Sequence, residues 1–278
     1  RSERSHAFMT ALFTLEREEE TRMSDTNAKG ITSGRQDGGP RNCGPRMIAV
    51  VGPYGSGKTS LLESLLHATG ATTRKGAVSA GNTVGDASAE ARARQMSTEP
   101  NAVVTQWLGD TYAFVDCPGS IEFLADTQNV LAACDAAVVV AEPDPAKALM
   151  LQPYLKALEA AGVPRMIFVN KIDKAKGRIR DLLENLQPMS AAPLVLRQVP
   201  IWDDGQVTGF VDLAMERAHH YRDHAPSEVV EMPGDLAERE KQARYQMLER
   251  LADHDDHLME ELLSDIEPAQ DEVFADLV

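Results

Sequence analysis

Residues 52–59 combine glycines, a lysine and a hydroxyl at a spacing that suits phosphate binding. In order they are Gly52, Pro53, Tyr54, Gly55, Ser56, Gly57, Lys58 and Thr59. Glycines allow the backbone N–H groups of such a loop to point inward at an anion. Lys58 would then reach the β- and γ-phosphates of a nucleotide, and the Thr59 hydroxyl would bind Mg²⁺.

The flanking residues support this interpretation of the loop. An apolar run at residues 47–51 precedes it, and a helical pattern at residues 61–66 follows it. A strand, a glycine loop and a helix in this order place the positive end of the helix dipole beside a bound phosphate. The alternative, a glycine turn that happens to precede a lysine, is disfavoured by this context. The sequence therefore predicts nucleotide binding.

A second motif predicts which base the nucleotide carries. Asn170, Lys171 and Asp173 follow an apolar run at residues 165–169, and open α/β sheets bind ligands at such strand ends. The Asp173 carboxylate can accept from the N1–H and the amine of guanine, a donor pair that adenine lacks. Lys171 can lay its stem across the base, and Asn170 can bond the guanine edge or tie this loop to the phosphate loop. Taken alone, this motif is also typical of a solvated loop. Because it follows a phosphate loop in the sequence, it favours binding of GTP and GDP.

A third motif lies between these two. Asp116 and Gly119 belong to a run of Asp, Cys, Pro and Gly that ends an apolar stretch at residues 112–115. Asp116 can hold a water ligand of Mg²⁺, and the Gly119 N–H can bond a γ-phosphate and release it after hydrolysis. A Pro-Gly turn that closes a strand is the alternative when the motif stands alone. The order of the motifs along the chain favours a GTPase.

From about residue 47 to its C-terminus, the chain resembles the translational GTPases, and among them elongation factor G and its elongation-factor-G-like relatives. Residues 94–98 resemble the first switch of that family. This match implies that Ser97, in preference to Thr98, is a hydroxyl ligand of Mg²⁺ in the GTP state. Residues 199–213 resemble the insert subdomain that distinguishes elongation factor G from most other GTPases of the group.

Two positions depart from the family pattern. Ser120 stands where elongation factor G has a histidine that helps to orient the attacking water, and a serine has neither the reach nor the charge of an imidazolium. Gln95 replaces a glycine of the first switch, which removes backbone freedom from a segment that should refold with each nucleotide cycle. The resemblance implies catalytic roles for Lys58, Gly119 and Ser120, with hydrolysis slowed by the serine.

The resemblance implies an α/β fold: a P-loop NTPase G domain with a mostly parallel sheet and helices on both faces, plus an inserted α+β subdomain. We expect a disordered or non-native lead-in at residues 1–46, the GTP-binding core at 47–188, and the insert with acidic helices at 189–278. The Ser-Ala-x guanine motif of the family does not follow. We therefore expect a fragment or the product of a truncated gene. Separately, because the sequence opens with an arginine, we expect natural translation to begin at Met23.

The function implied is hydrolysis of GTP to GDP and phosphate by a translation factor that acts with the ribosome through the intact protein. One alternative is a slow GTP-dependent regulatory switch, which Ser120 favours. Another is an ATP-using P-loop enzyme, which Asp173 opposes.

Composition agrees with a cytoplasmic, globular protein, and we expect it to be a monomer. The 278 residues carry a net charge of −15, which disfavours unaided binding to DNA. The apolar run at residues 7–15 is too short to span a membrane. The widely spaced cysteines predict neither a disulfide framework nor a metal cluster.

Periodicity predicts the remaining elements. We expect a long switch-containing loop at residues 72–100, strands at 102–107 and 137–141, and helices at 124–134, 146–161 and within 236–263. We assign the histidines at positions 219, 220, 224, 254 and 257 to solvated helix faces rather than to a metal site.

Overall fold

The structure, a computed structural model, describes residues 46–107, 109–175, 178–222, 225–232, 234–253, 255–264 and 266–277. These residues form two compact units. The first takes in the described residues up to Glu142 together with Ala146–Lys171, and the second takes in Pro143–Pro145 together with the described residues from Ile172 onward. The start predicted at Met23 lies outside the described residues. Among the residues described, every helix is too short or too polar to span a lipid bilayer.

A five-stranded sheet forms the centre of the first unit. Its strands are Arg46–Val51 (β1), Asn101–Trp107 (β2), Asp110–Asp116 (β3), Ala136–Ala141 (β4) and Arg165–Val169 (β5). The order across the sheet is β2-β3-β1-β4-β5. Strands β3, β1, β4 and β5 are parallel, whereas β2 forms an antiparallel hairpin with β3.

The α-helices of this unit are Lys58–Ala68 (α1), Ala89–Arg94 (α2), Leu124–Leu131 (α3) and Gln152–Ala161 (α4). Leucines recur on one face of α1 at helical spacing, and they are buried against apolar side chains of the sheet. The buried cluster comprises Val50, Leu61, Leu62, Leu65, Leu66, Phe114, Val140 and Phe168. The residues between β1 and α1 are therefore flanked by a strand and a helix that pack against each other in the buried core.

Two helix predictions in this unit are partly wrong. The predicted helix at residues 146–161 begins only at Gln152, and Pro145–Leu151 is a 3-10 segment. Pro153 explains the difference: in the first turn of α4 its missing N–H costs nothing, but in a longer helix it would remove an interior hydrogen bond. Helix α3 ends at Leu131, because the next N–H groups tighten into a turn.

The second unit contains a four-stranded antiparallel sheet with helices. Helix Ile179–Leu186 (α5) precedes the sheet, whose strands in spatial order are Gln198–Asp203 (β6), Gln206–Asp212 (β7), Arg217–Arg222 (β8) and Ala225–Val230 (β9). The helices that follow are Gly234–Ala252 (α6), Asp256–Leu263 (α7) and Gln270–Asp276 (α8). Their core residues include Val211, Leu213, Met247, Leu251, Leu258 and Val273. The mostly parallel sheet and the second, antiparallel sheet confirm the predicted fold class.

The assignment of His219 and His220 to a helix face is wrong. Both lie in β8, and His219 is only 1% exposed, with its ring stacked on Phe210 at a centroid distance of 4.8 Å. Successive side chains of a strand point to opposite faces, so neighbouring histidines can differ fully in burial. His257 lies exposed in α7, whereas positions 224 and 254 fall outside the described residues.

Candidate nucleotide-binding site

The glycine loop at residues 52–57 connects the end of β1 to the start of α1. The loop turns on itself, because the Ser56 N–H donates to the Pro53 carbonyl at 3.2 Å. Gly57 caps α1 with a φ of 100°, and a Cβ there would lie 2.3 Å from Nδ2 of Asn170. Only glycine fits both requirements. The loop thus has the strand, turn and helix geometry of a phosphate cradle.

Lys58, the first residue of α1, is only 6% exposed. Its Nζ donates to the Pro53 carbonyl at 3.1 Å. Burial lowers the pKa of Lys58, and the negative charge of Asp116 opposes this shift only in part. An anionic phosphate beside Nζ would favour the charged ammonium, so the buried lysine suits an anion site.

Oxygen-bearing side chains from different segments meet at Thr59. The Thr59 hydroxyl donates to Asp116 Oδ2 at 2.6 Å and lies 3.2 Å from Ser97 Oγ. The three side chains are buried. Asp116 Oδ1 is also buried and has no hydrogen-bond partner among the residues that the structure describes. Hydroxyl and carboxylate oxygens are the ligands that Mg²⁺ prefers, so this set fits the ion.

The electrostatics of Asp116 agree with a cation site. Burial raises its pKa to about 6, although the Thr59 hydrogen bond and the Lys58 charge oppose the shift. A bound cation would favour the ionised carboxylate and would therefore reverse the effect of burial. Lys58 and Asp116 thus each bear a desolvation cost that a ligand of opposite charge would offset.

Gly119 lies against the phosphate loop. A Cβ at this position would fall 2.3 Å from Lys58 Nζ and 2.7 Å from the Tyr54 backbone nitrogen. Any side chain would therefore displace the loop, and the glycine allows a close approach of the two backbones. Ser120 follows, half-buried, and its hydroxyl donates to Glu122 Oε1 at 3.1 Å. The Ser120 hydroxyl is thus hydrogen-bonded to a residue two positions further along the chain.

Asn170 and Lys171 connect the base motif to the phosphate loop. Asn170 is 7% exposed, and its Nδ2 donates to the Ser56 carbonyl at 2.8 Å. The sequence predicts that Asn170 bonds the guanine edge or links its loop to the phosphate loop. The structure shows the second of these contacts. The Nζ of Lys171 contacts the Gly55 carbonyl. Asp173 lies in a short 3-10 turn with its side chain exposed to solvent, where a ligand can reach it.

Gln95 ends helix α2 in a left-handed conformation with a φ of 51°. Its N–H closes the helix by donating to the Arg92 carbonyl at 3.3 Å. A residue with a Cβ pays about 1–2 kcal/mol in this region, whereas glycine does not. The glycine expected from the family resemblance therefore matches the backbone geometry at this position, and glutamine opposes it.

We expect Gln95→Gly to raise the free energy of unfolding by about 0.5–1 kcal/mol, because relief of the strained φ exceeds the entropy that glycine adds to the unfolded chain. Urea denaturation followed by circular dichroism measures this change. Gln106→Gly is the matched control, because Gln106 is exposed in β2 and glycine should lower stability there by about 0.5–1 kcal/mol. Changes of the same sign at both positions would contradict the strain at Gln95.

Two buried acidic residues near the site are not part of any sequence motif. Glu63 on α1 is 1% exposed and accepts from the backbone N–H groups of Gly76 at 2.8 Å and Val84 at 2.5 Å. It ties the loop before the first switch to the phosphate-loop helix. Asp86 is also buried, and its charge contributes to the raised pKa of Asp116. Glu63 could have been noticed in the sequence, because it is a lone acid in an apolar run. Asp86 lies in a stretch without periodicity, so the sequence gives no signal for it.

Known proteins share this arrangement of loop, sheet and helices. Residues 45–260 match the family described as the elongation factor Tu GTP binding domain. The chain belongs to this family. An elongation factor G-like protein from Synechocystis sp. is 44% identical over 237 residues, which are 85% of this chain and 35% of the relative. This relationship confirms the resemblance to the translational GTPases.

A solved structure also resembles this GTP-binding domain. A crystal structure of a protein from Thermus thermophilus is similar with a TM-score of 0.73 and 29% identity, over 84% of this chain and 35% of that protein. The matched part of this chain therefore spans 35% of the length of each of these relatives. The matched residues contain the phosphate loop, the base motif and both sheets.

Proposed function

We propose that the chain binds GTP and GDP with Mg²⁺ and hydrolyses GTP to GDP and phosphate. One observation carries this proposal: a buried lysine, a switch glycine and a set of oxygen-bearing side chains converge on one phosphate loop. Lys58 lies close to Gly119, and Thr59 joins Asp116 and Ser97. Phosphoryl transfer is catalysed mainly by positioning and charge stabilisation, which such a site supplies.

Each group has a role that its position supports. Lys58 and the backbone N–H groups of residues 52–57 would stabilise charge on the transferred phosphoryl group. Thr59, Ser97 and Asp116 would hold Mg²⁺, which neutralises charge on the β- and γ-oxygens when bound. Gly119 would donate its N–H to the γ-phosphate and so distinguish GTP from GDP.

The base and the domain organisation complete this proposal. Asp173 would read the guanine edge, the Lys171 stem would cover the base, and Asn170 would hold their loop against the phosphate loop. Residues 47–188 would form the GTP-binding core, and residues 189–278 would form the insert subdomain with its acidic helices.

We further infer that the intact protein acts in the cytoplasm, as a monomer, with the ribosome in translation elongation. The support is the 44% identity to an elongation factor G-like protein. The net charge of −15 disfavours general binding to nucleic acid, so ribosome contacts would come from local patches or further domains.

A slow GTP-dependent regulatory switch is the second candidate, and Ser120 is the observation that favours it. The serine hydroxyl donates to Glu122, and it cannot supply the charge of a histidine to the attacking water. A protein of this kind would hold GTP for long periods and signal through its bound state.

Calorimetric titration with GTP, GDP and ATP in the presence of Mg²⁺ tests nucleotide binding, and single-turnover hydrolysis of GTP tests the reaction. We expect both guanine nucleotides to bind and ATP not to compete with them, because adenine cannot satisfy Asp173. Binding of ATP as tight as that of GTP would contradict the proposed specificity. Bound GTP that is never hydrolysed, with or without ribosomes, would favour the regulatory switch.

Asp173→Asn is expected to lower GDP affinity by about 1.5–3 kcal/mol, because the change replaces a charged acceptor with an amide. Affinity for XDP should rise, since xanthine offers an oxygen where guanine has an amine, and the new amide can donate to it. Calorimetry with GDP and XDP measures both effects. Asp126→Asn, at an exposed position on α3, is the matched control and should change neither affinity. Unchanged GDP affinity in Asp173→Asn would remove this residue from the site.

A further inference from the structure

The switch glycine has a hydrogen-bond partner that no motif contains. The hydroxyl of Tyr154 donates to the Gly119 carbonyl at 3.0 Å. Tyr154 lies in the first turn of α4, on a different segment of the chain from the phosphate loop and both switches. The contact therefore connects Gly119 to a helix that packs within the first unit.

Tyr154 is well placed to act as a fixed donor. It is 3% exposed, and Pro153 before it restricts the backbone at the start of α4. Burial raises the pKa of Tyr154 to about 12, so its hydroxyl keeps its proton at neutral pH and remains able to donate. A buried aromatic ring in a helix has few rotamers, and the hydroxyl position is correspondingly well defined.

Gly119 has no side chain of its own, so its position depends on contacts of its backbone. Its position is tight on the other side, where a Cβ would fall 2.3 Å from Lys58 Nζ. The glycine thus lies between the phosphate loop and the tyrosine hydroxyl. A hydrogen bond to its carbonyl limits rotation of the peptide that leads into Ser120, and it therefore limits the direction of the neighbouring backbone groups.

We propose that Tyr154 is a positioning residue for the switch: its bond to the Gly119 carbonyl fixes the peptide between Gly119 and Ser120, and this restricts Gly119 where its N–H would meet a γ-phosphate. This inference rests on the proposed binding and hydrolysis of GTP. Tyr154 contacts neither phosphate nor water in this mechanism. It acts through the glycine, and its effect should appear with a γ-phosphate and not with GDP.

The test is Tyr154→Phe, which removes the hydroxyl and keeps the ring. We expect the affinity for a non-hydrolysable GTP analogue to fall about threefold to tenfold, the size of one buried hydrogen bond, and the single-turnover rate of GTP hydrolysis to fall similarly. GDP affinity should not change, because GDP has no γ-phosphate for Gly119 to contact. A merely structural role for Tyr154 would alter binding of the two nucleotides equally, so the ratio of their affinities decides.

Tyr221→Phe is the matched control, because it removes a buried hydroxyl from β8 in the second unit. It should leave the ratio of affinities and the hydrolysis rate unchanged. Wild-type protein that binds neither nucleotide would overturn the proposed function and this inference together. Tight wild-type binding with an unchanged ratio and rate in Tyr154→Phe would overturn this inference alone. An equal loss of GDP and analogue affinity in Tyr154→Phe would also overturn it.

Discussion

Replacing Lys58 with alanine is expected to weaken the binding of GTP and GDP strongly while the fold persists. The Lys58 ammonium is buried at the start of α1, and its hydrogen bond goes to the Pro53 carbonyl of its own loop. A charge-assisted contact to phosphate is worth about 1.5–3 kcal/mol, so affinity should fall by roughly tenfold to more than a hundredfold. The apolar core under the loop is unchanged by the substitution, so secondary structure should be retained.

A fluorescent guanine nucleotide measures the affinity of Lys58→Ala, and circular dichroism measures its fold. Lys156→Ala is the matched control, because Lys156 is exposed on α4 and should not contribute to binding. Lys58→Ala removes the desolvation cost that lowers the pKa of Lys58, but it also removes the attraction between Lys58 and the buried Asp116, so the fold of the variant has to be measured beside its affinity. Retained nucleotide affinity in a folded Lys58→Ala protein would count against the phosphate-loop assignment.

The geometry of the loop at residues 52–57 can be predicted from sequence because it depends on local order. Strand β1, the glycine loop and α1 are consecutive in the chain, and each has a pattern that is visible in a short window. Asp116 and Asn170 can be placed with them, because they end or follow parallel strands of one sheet. The carboxyl ends of parallel strands lie on the same edge of a sheet, so the motifs converge without knowledge of the loops.

The remaining features depend on contacts that no local pattern records. The bond between Tyr154 and Gly119 joins residues 35 positions apart, and neither residue type predicts the other. Gln95 adopts a left-handed φ against its own preference, because the helix end and the loop after it require that turn. His219 lies in a short strand whose pairing is determined by neighbouring strands rather than by its own sequence.

Ser120 is the second position at which a single change should have a large effect. In the structure it follows Gly119, begins the 3-10 turn Ile121–Phe123, and donates to Glu122. By the family resemblance a histidine at this position would help to orient the attacking water. The serine side chain is shorter than a histidine, and its hydroxyl already donates to the Glu122 carboxylate. Hydrolysis by the wild-type protein is therefore expected to be slow, even with ribosomes.

Ser120→His should raise the rate of GTP hydrolysis and leave nucleotide affinity nearly unchanged. Positioning and charge stabilisation by one group are worth about 2.7–4 kcal/mol of barrier, which corresponds to about a hundredfold to a thousandfold in rate. The site around Ser120 is only half-buried, so an imidazole can be accommodated without displacing the core. Single-turnover hydrolysis by the full-length protein, with and without ribosomes, measures the effect.

Ser120→Ala distinguishes the effect of lacking a histidine from any effect of the serine hydroxyl itself. If the hydroxyl only bonds Glu122, alanine should hydrolyse GTP as slowly as the wild type, and histidine alone should accelerate the reaction. A large loss of rate in Ser120→Ala would instead show that the serine itself orients water. A wild-type rate equal to that of a histidine-bearing relative would show that the reaction does not need the imidazole. In that case we expect the backbone at Gly119 to position the attacking water, and Tyr154→Phe should then lower the hydrolysis rate more than Ser120→Ala does.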